Sequence, residues 1–192
     1  GFTLLAQVEM GDAPDPPFPT HQSSNGAIHL MGPPLWLGSQ IDGEMMVNTG
    51  LLCKGDDYLN WDDEDGIACT QWLIPGQTVS VQVTATQSAL LSAWIDWNGN
   101  GSWADAGEQV FQDVNVKAGL NTLQLAIPAT SLSGLFTQAR FRLTTQPGIS
   151  FLGPAPDGEV EDYMVFIGTP PKSVSIIAPD PFSAYTQNEI AL

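Results

Sequence analysis

The chain has 192 residues, of which 43% are hydrophobic, so it is long and apolar enough to bury a substantial core. Its 21 acidic residues face only five basic ones, for a net charge of −16. This balance excludes nucleic acid and anionic membrane surfaces as natural partners, because both would repel the chain. The sequence also contains no apolar stretch long enough to cross a bilayer, so no membrane insertion is expected.

The chain shows the two-residue alternation of β-strands and almost no helical periodicity. The clearest example is 78–86, in which valines occupy every second position from 79 to 83. Together the alternating runs predict strands at 78–86, 90–97, 109–116, 121–127, 139–145 and 160–167. Short strands at this spacing predict an all-β protein, an antiparallel β-sandwich of jelly-roll or immunoglobulin-like type.

Composition divides the chain into an N-terminal strand or arm (1–10), a sandwich body (11–168), and a linker with a C-terminal tail (169–192). Within the body, 11–70 is rich in Gly, Pro and Asp and predicts long loops. It contains both cysteines, Cys53 and Cys69. In an exported protein we expect them to form a disulfide, worth about 3 kcal/mol for a loop of roughly 16 residues. The alternative is two buried thiols.

An acidic loop at 96–108 follows the second predicted strand. Asp96, Asn98 and Asn100 stand at positions 1, 3 and 5 of a calcium loop, with Gly101 at position 6 for the sharp turn. Position 7, Ser102, supplies a carbonyl, and Asp105 and Glu108 follow as further carboxylates. An EF-hand would have Glu at position 12 and flanking helices, and this loop has neither. The pattern therefore predicts a calcium ion on a strand-to-strand connection; the alternative is a metal-free Asn-Gly turn.

Other acids cluster in three places, and we expect them to contribute further calcium ligands. They are Asp12 at the start of the body, Asp62, Asp63, Glu64 and Asp65 between the cysteines, and Glu159, Glu161 and Asp162 at the last strand. Adjacent carboxylates repel each other unless a cation lies among them. For 62–65 the alternative is a solvated acidic loop.

The run from Gly158 to Tyr163 reads G-E-V-E-D-Y and resembles the signature after which the GEVED domain is named. Segments in the same order from about 11 to 167 fit that family. They are Gly11 to Asp15, Gly26 to His29, Leu37 to Ser39, Asp42 to Glu44, Asp62 to Gly66, Trp94 to Phe111, and Ala139 to Leu143. Ile28 and Asn100 depart from it, since the family more often has Arg and Asp there. The resemblance implies a secreted bacterial β-sandwich module of surface and adhesin-like proteins, without enzymatic activity.

The tail carries a second resemblance. Its residues 174–182 are similar to the opening of a type IX secretion sorting domain, with Asp180 where that family usually has Asn. The tail is then either a fragment of that domain or a single strand that serves another use.

We therefore predict an extracellular, calcium-binding structural or adhesion module of a bacterial surface protein. Its partners are calcium and either other copies or neighbouring surface domains, with filament assembly by strand donation through 2–10 or 173–178. The alternative is a calcium-dependent, lectin-like module that binds glycans through Trp36, Trp61, Trp97 and Trp103. An enzyme is not expected, because the sequence has no nucleophile elbow, P-loop or dinucleotide motif. Of its two histidines, we expect His21 to be exposed and His29 to pack in a loop.

Overall fold

The structure is a computed structural model that describes residues 8–30, 34–38 and 65–169, together with the backbone of 53–55. The described residues form β-strands and one 3-10 turn, Gln22–Ser24, but no α-helix. The strands are β1 Val8–Met10, β2 Ile28–Leu30, β3 Cys53–Gly55, β4 Ile67–Cys69, β5 Thr78–Ala85, β6 Ala89–Ile95, β7 Gln109–Val116, β8 Gly119–Ala126, β9 Leu135–Thr144, β10 Pro154–Ala155 and β11 Glu159–Ile167. In this part of the chain, no helix is long and apolar enough to span a membrane.

Two antiparallel sheets form the sandwich. One has the strand order β3-β11-β9-β6-β7 and the other β4-β5-β8. A third, small sheet has the order β1-β2-β10, in which β10 runs parallel to β2. The predicted all-β sandwich is confirmed, and all six predicted strands form within a few residues of their expected bounds.

The main core lies between the two large sheets and follows from the alternation in the sequence. On β5, Val79, Val81 and Val83 are buried, while the residues between them are partly exposed. They belong to the same apolar cluster as Phe141 and Leu143 of β9. Burying each such side chain contributes roughly 1.5–3 kcal/mol, so this cluster dominates the stability of the fold.

The outer face of the five-stranded sheet is also covered. A second apolar cluster joins Ala13 and Phe18 of the N-terminal segment to Trp94 of β6 and Trp103 of the acidic loop. Segment 11–18 and the loop therefore pack on the face opposite the main core. As a result β9 is buried on both faces, which its alternating sequence did not predict.

Residues 11–70 contain more regular structure than their composition predicts, since β2, β3 and β4 form there. Each is only three residues long; β2 and β3 pair with strands distant in sequence, whereas β4 pairs with β5, the next strand along the chain. In the predicted N-terminal arm, β1 pairs with β2 of the same chain. The Glu9 side chain also accepts a hydrogen bond from the Val160 N–H at 2.9 Å. Residues 8–10 thus pack on their own domain, whereas 1–7 and the predicted tail from 170 onward lie outside the described residues.

Candidate calcium loop and the buried network beside it

The acidic loop joins β6 to β7 at one end of the five-stranded sheet. Its first residue, Asp96, is only 1% exposed, and its N–H donates to the Gln138 carbonyl of β9 at 3.2 Å. At the other end, Glu108 is 2% exposed. The sheet therefore fixes a carboxylate at each end of the loop.

The chain coils tightly around the Asp96 carboxylate. Its Oδ1 accepts from the N–H of Gly99 at 2.6 Å and of Asn100 at 3.2 Å, and its Oδ2 accepts from the N–H of Gly101 at 2.9 Å. Gly99 and Gly101 have φ values of 69° and 81°, a region in which a side chain is strained. This is why the motif needs glycine on either side of position 5.

The side chains of Asn98, Asn100 and Asp105 converge on one point. Asn98 Nδ2 lies 2.8 Å from Asp105 Oδ2, and Asn100 Nδ2 lies 2.6 Å from the same oxygen. An asparagine amide presents either its nitrogen or its oxygen when it rotates. A lone carboxylate draws the amide nitrogens inward, whereas a cation between the three groups would draw the oxygens. The donor set therefore fits a hard cation such as calcium.

Glu108 completes the loop as a buried carboxyl group. Its Oε1 accepts from the Trp97 N–H and its Oε2 from the Asp105 N–H, both at 3.2 Å. Burial, together with the negative charges of Asp96 and Asp105, raises the pKa of Glu108 to about 7. The ionised form is thus disfavoured by its surroundings, and a nearby cation would compensate for this.

Protein carboxylates alone do not complete a site. Among the described residues, no group of three or more His, Cys, Asp or Glu side chains is arranged to hold a metal. Position 12 is Gly107, as the sequence indicates. The Ser102 hydroxyl accepts from the Ala104 N–H at 3.1 Å, so its carbonyl is the group we expect to contribute. A calcium ion would share carboxylate, amide and carbonyl oxygens.

A second acidic cluster gathers Asp65, Glu159 and Glu161. The Glu161 carboxylate is fully buried and accepts from the Gly66 N–H at 3.1 Å and from the Tyr163 hydroxyl at 3.0 Å. Burial, then the charges of Glu159 and Asp65, raises the pKa of Glu161 well above its usual range. Asp62, Asp63 and Glu64 lie outside the described residues, so their part in a calcium site stays a prediction.

Asp162, which we predicted as a calcium ligand, has a different partner. Its Oδ1 and Oδ2 accept from Arg140 Nε and Nη2, each at 2.7 Å, and both side chains are fully buried. Oδ2 also accepts from the Ala13 N–H at 2.9 Å. Arginine thus supplies the counter-charge for which the sequence suggested calcium. Asp12, another predicted ligand, is an exposed residue beside Ala13.

Arg140 connects this ion pair to the acidic loop. Its guanidinium lies over the Trp103 ring, 4.5 Å from the centroid, and its remaining N–H groups donate to Pro19, Thr20 and Phe151. Trp103 in turn donates from Nε1 to the Gln138 carbonyl at 3.1 Å. Sequence reasoning missed this network. The available signal was two arginines at alternate positions of one predicted strand, which need partners if that strand is buried on both faces.

Two residues further along β9 is a second buried arginine, Arg142, which bonds to His29. Arg142 Nε donates to His29 Nε2 at 2.9 Å, and His29 Nδ1 lies 2.7 Å from the Asp157 carbonyl, to which it donates. Arg142 also donates to the Ser150, Leu152 and Gly153 carbonyls. His29 is therefore a packing residue with both ring nitrogens occupied, in agreement with the sequence prediction.

We expect His29 to make the protein less stable in mild acid. Burial and the Arg142 charge lower the pKa of His29 from 6.5 to about 3. Between these values the unfolded chain binds a proton that the folded chain does not, so stability falls as pH drops from about 6.5, by up to about 1.4 kcal/mol per pH unit. Asp157, whose pKa is lowered by its bonds to Thr145 and Thr144 against the effect of burial, adds to the loss at lower pH.

The His29→Gln variant isolates this effect, because glutamine keeps a donor and an acceptor but does not titrate. Urea unfolding at pH 7, 6 and 5 measures the free energy of unfolding of both proteins. The amount by which the unmodified protein exceeds the variant should shrink steadily as the pH falls. Parallel pH profiles for the two proteins would show that His29 is not responsible.

The aromatic residues proposed for glycan binding are mostly enclosed. Trp97 is 5% and Trp103 1% exposed, so neither offers a ring face to a sugar. Trp36 is half-buried, and Trp61 lies outside the described residues. A cleft of about 520 Å³ does lie beside the loop, lined by Trp94, Trp103, Asp105, Gln109 and Phe151 among others. The two tryptophans that line this cleft pack in the second apolar cluster. Glycan binding through Trp97 or Trp103 is therefore not supported.

The structure describes the side chain of one of the two cysteines. Cys69, on β4, is disulfide-bonded rather than a free thiol. The side chain of Cys53 lies outside the described residues, so the Cys53–Cys69 pairing stays a prediction.

Comparison with known families identifies the part of the chain that carries the loop. Residues 90–166 match the GEVED domain. The match runs from β6 to β11 and contains the acidic loop, the Arg140–Asp162 pair, and Glu159 and Glu161 of the second acidic cluster. It confirms the GEVED resemblance over this segment, whereas the sequence suggested it from about residue 11. A search of curated proteins found no match, and neither did a search of solved structures.

Proposed function

We propose that this GEVED-containing β-sandwich is an extracellular, non-enzymatic structural or adhesion module that calcium rigidifies. The observation that supports this most strongly is the convergence of Asn98 and Asn100 on Asp105, between the buried carboxylates of Asp96 and Glu108. Across the described residues, the one ion pair between side chains is Arg140–Asp162, which lies outside the loop. The loop thus concentrates negative charge that calcium would neutralise.

Calcium in the loop would stabilise more than the loop. Trp103 lies within the same connection, and its ring covers the Arg140 guanidinium. Holding 96–105 against Glu108 would therefore also hold Trp103 on the sheet and exclude water from the Arg140–Asp162 pair. We infer that the ion stiffens one end of the sandwich, as a module exposed to mechanical load or proteases would require.

Secretion, display on the cell surface and contact with other copies or neighbouring domains belong to the same proposal. They are supported by the GEVED match, the disulfide-bonded Cys69 and the strongly acidic composition. For assembly by strand donation, β1 is an unsuitable donor because it already pairs with β2. This leaves 173–178 as the proposed donor.

Two substitutions in the loop test the calcium proposal. Asp96→Asn and Glu108→Gln each remove one ligand charge. Loss of a residue that only orients a metal ligand weakens metal binding by roughly 10–100-fold. We therefore expect the calcium affinity of either variant to fall at least as much. Without calcium, Glu108→Gln should leave the protein as stable or more stable at pH 8, because it removes a buried charge. Isothermal titration with calcium and thermal melts measure both effects.

Asp113→Asn is the matched control, since it makes the same charge change on β7, outside the loop. Asp113 has a φ of 49°, which asparagine tolerates, and its carboxylate accepts from the Gly148 N–H at 3.0 Å, as an amide oxygen can. It should bind calcium like the unmodified protein. Equal calcium affinity in all four proteins would show that the loop is not the site.

A further inference from the structure

We propose that β8 is a self-association edge, at which two copies of this chain pair their β8 strands antiparallel and join their three-stranded sheets. The inference identifies one contact for the self-association proposed above and does not depend on calcium. Its evidence lies in the backbone directions, length and charge of β8.

The register of β8 against β5 shows which backbone groups point outward. Thr84 of β5 lies opposite Leu120, but its N–H donates to the Gly66 carbonyl at 2.8 Å and its carbonyl accepts from the Gly38 N–H at 2.9 Å. Thr84 therefore does not bond to Leu120, whose backbone groups must point away from β5. Because antiparallel pairs alternate between bonded and non-bonded, Thr122, Gln124 and Ala126 share this direction. No described strand pairs with that edge.

Sheet edges are normally protected against pairing by shortness, charge, proline or bulges. The outer strand of the other sheet, β7, follows this rule. Its register with β6 is irregular near Ala93, Asp113 has a positive φ, and Gly148 covers the bulge through its bond to Asp113. The edge strands β3 and β4 are only three residues long.

In contrast, β8 has none of these protections. It has eight residues in unbroken register with β5, and 118–126 contains no charged residue and no proline. Leu120 is 64% exposed. The neighbouring side chains of β5 on the same face, Thr78, Ser80, Gln82 and Thr84, are also uncharged. On a chain with a net charge of −16, this is a surface that a second copy can approach without facing like charges.

The edge is also self-complementary. Placing Leu120 opposite Ala126 of the second copy puts Thr122 opposite its Gln124, so a large residue meets a small one and polar residues meet. All four outward-facing residues then bond in both copies, for about eight backbone hydrogen bonds in antiparallel geometry. The contact is two-fold symmetric and closes on itself, which distinguishes it from head-to-tail strand donation.

Sedimentation velocity of the full chain from micromolar to millimolar concentration tests this, with and without chelator. We expect a concentration-dependent dimer in both conditions. In hydrogen exchange, the amides of Thr122 and Gln124 should become protected as concentration rises, whereas those of Asn121 and Leu123, already bonded to β5, should change little. A monomer throughout, with these two amides unprotected, would overturn the proposal.

A matched pair of double variants provides the second test. Thr122→Lys with Gln124→Lys places lysines directly opposite lysines, which should weaken the dimer by roughly tenfold or more. Gln82→Lys with Thr84→Lys makes the same charge change on the same face, one strand inward, and should associate like the unmodified protein. Melting curves verify that both variants fold. Equal association of the two variants, or loss of the dimer on deleting 173–192, would contradict pairing through β8.

Discussion

Replacing Asp162 with asparagine should destabilise the protein by about 3–5 kcal/mol, the usual cost of removing one partner of a buried ion pair. The reason is that Arg140 would stay fully buried with its charge uncompensated. It cannot turn to solvent, because its other N–H groups are bonded to Pro19, Thr20 and Phe151 and its guanidinium lies over Trp103. At 2–4 °C per kcal/mol for a domain of this size, the melting temperature should fall by roughly 6–20 °C.

Asp113→Asn, the same change at a partly exposed position, should cost less than about 1 kcal/mol. A double-mutant cycle with Arg140→Ala isolates the pair. The loss of stability in the double variant should be smaller than the sum of the losses in the two single variants. The reason is that the double variant leaves no charge buried without its partner. Urea unfolding measures all of these differences. Simple additivity, or a loss for Asp162→Asn no larger than for Asp113→Asn, would show that the ion pair is not a major source of stability.

Removing calcium should produce the second large effect. A ligand that binds only the folded state at 100 times its Kd stabilises it by about 2.7 kcal/mol. For a chain of this length we therefore expect chelation to lower the melting temperature by roughly 5–10 °C. Because Trp103 would lose its restraint, its near-ultraviolet circular dichroism should change at temperatures below the melt.

Magnesium is the informative control for that experiment. It requires nearly ideal octahedral geometry and gives up water reluctantly, whereas this loop offers flexible amide and carbonyl oxygens. Magnesium at the same concentration should restore little of the lost stability. If magnesium and calcium act equally, the effect is general screening of the acidic surface rather than binding in the loop.

The main strands were predictable because the alternation in each one is local. Val79, Val81 and Val83 indicate a half-buried strand by themselves, and the structure places them in the core. The strands that were missed, such as β2 and β10, have two or three residues and form only by pairing with strands that are distant in sequence. No local pattern can reveal a contact between Ile28 and Pro154.

The candidate site was likewise predictable only where its residues are close in sequence. The ligands in 96–108 are close in sequence, so their spacing alone predicts a calcium loop. Asp162 and Arg140 are 22 residues apart and meet only through the β9–β11 register. From sequence, Asp162 was simply one more acid in an acidic run. Its counter-charge follows from the burial of β9 on both faces, which the sequence does not show.

Calcium binding in 96–108 can be tested by elemental analysis of protein that has been purified without chelator and exchanged into metal-free buffer. We expect bound calcium in the full chain, lost or strongly reduced in Asp96→Asn and retained in Asp113→Asn. Calcium-free protein that also fails to bind added calcium, or equal calcium content in all three proteins, would contradict it.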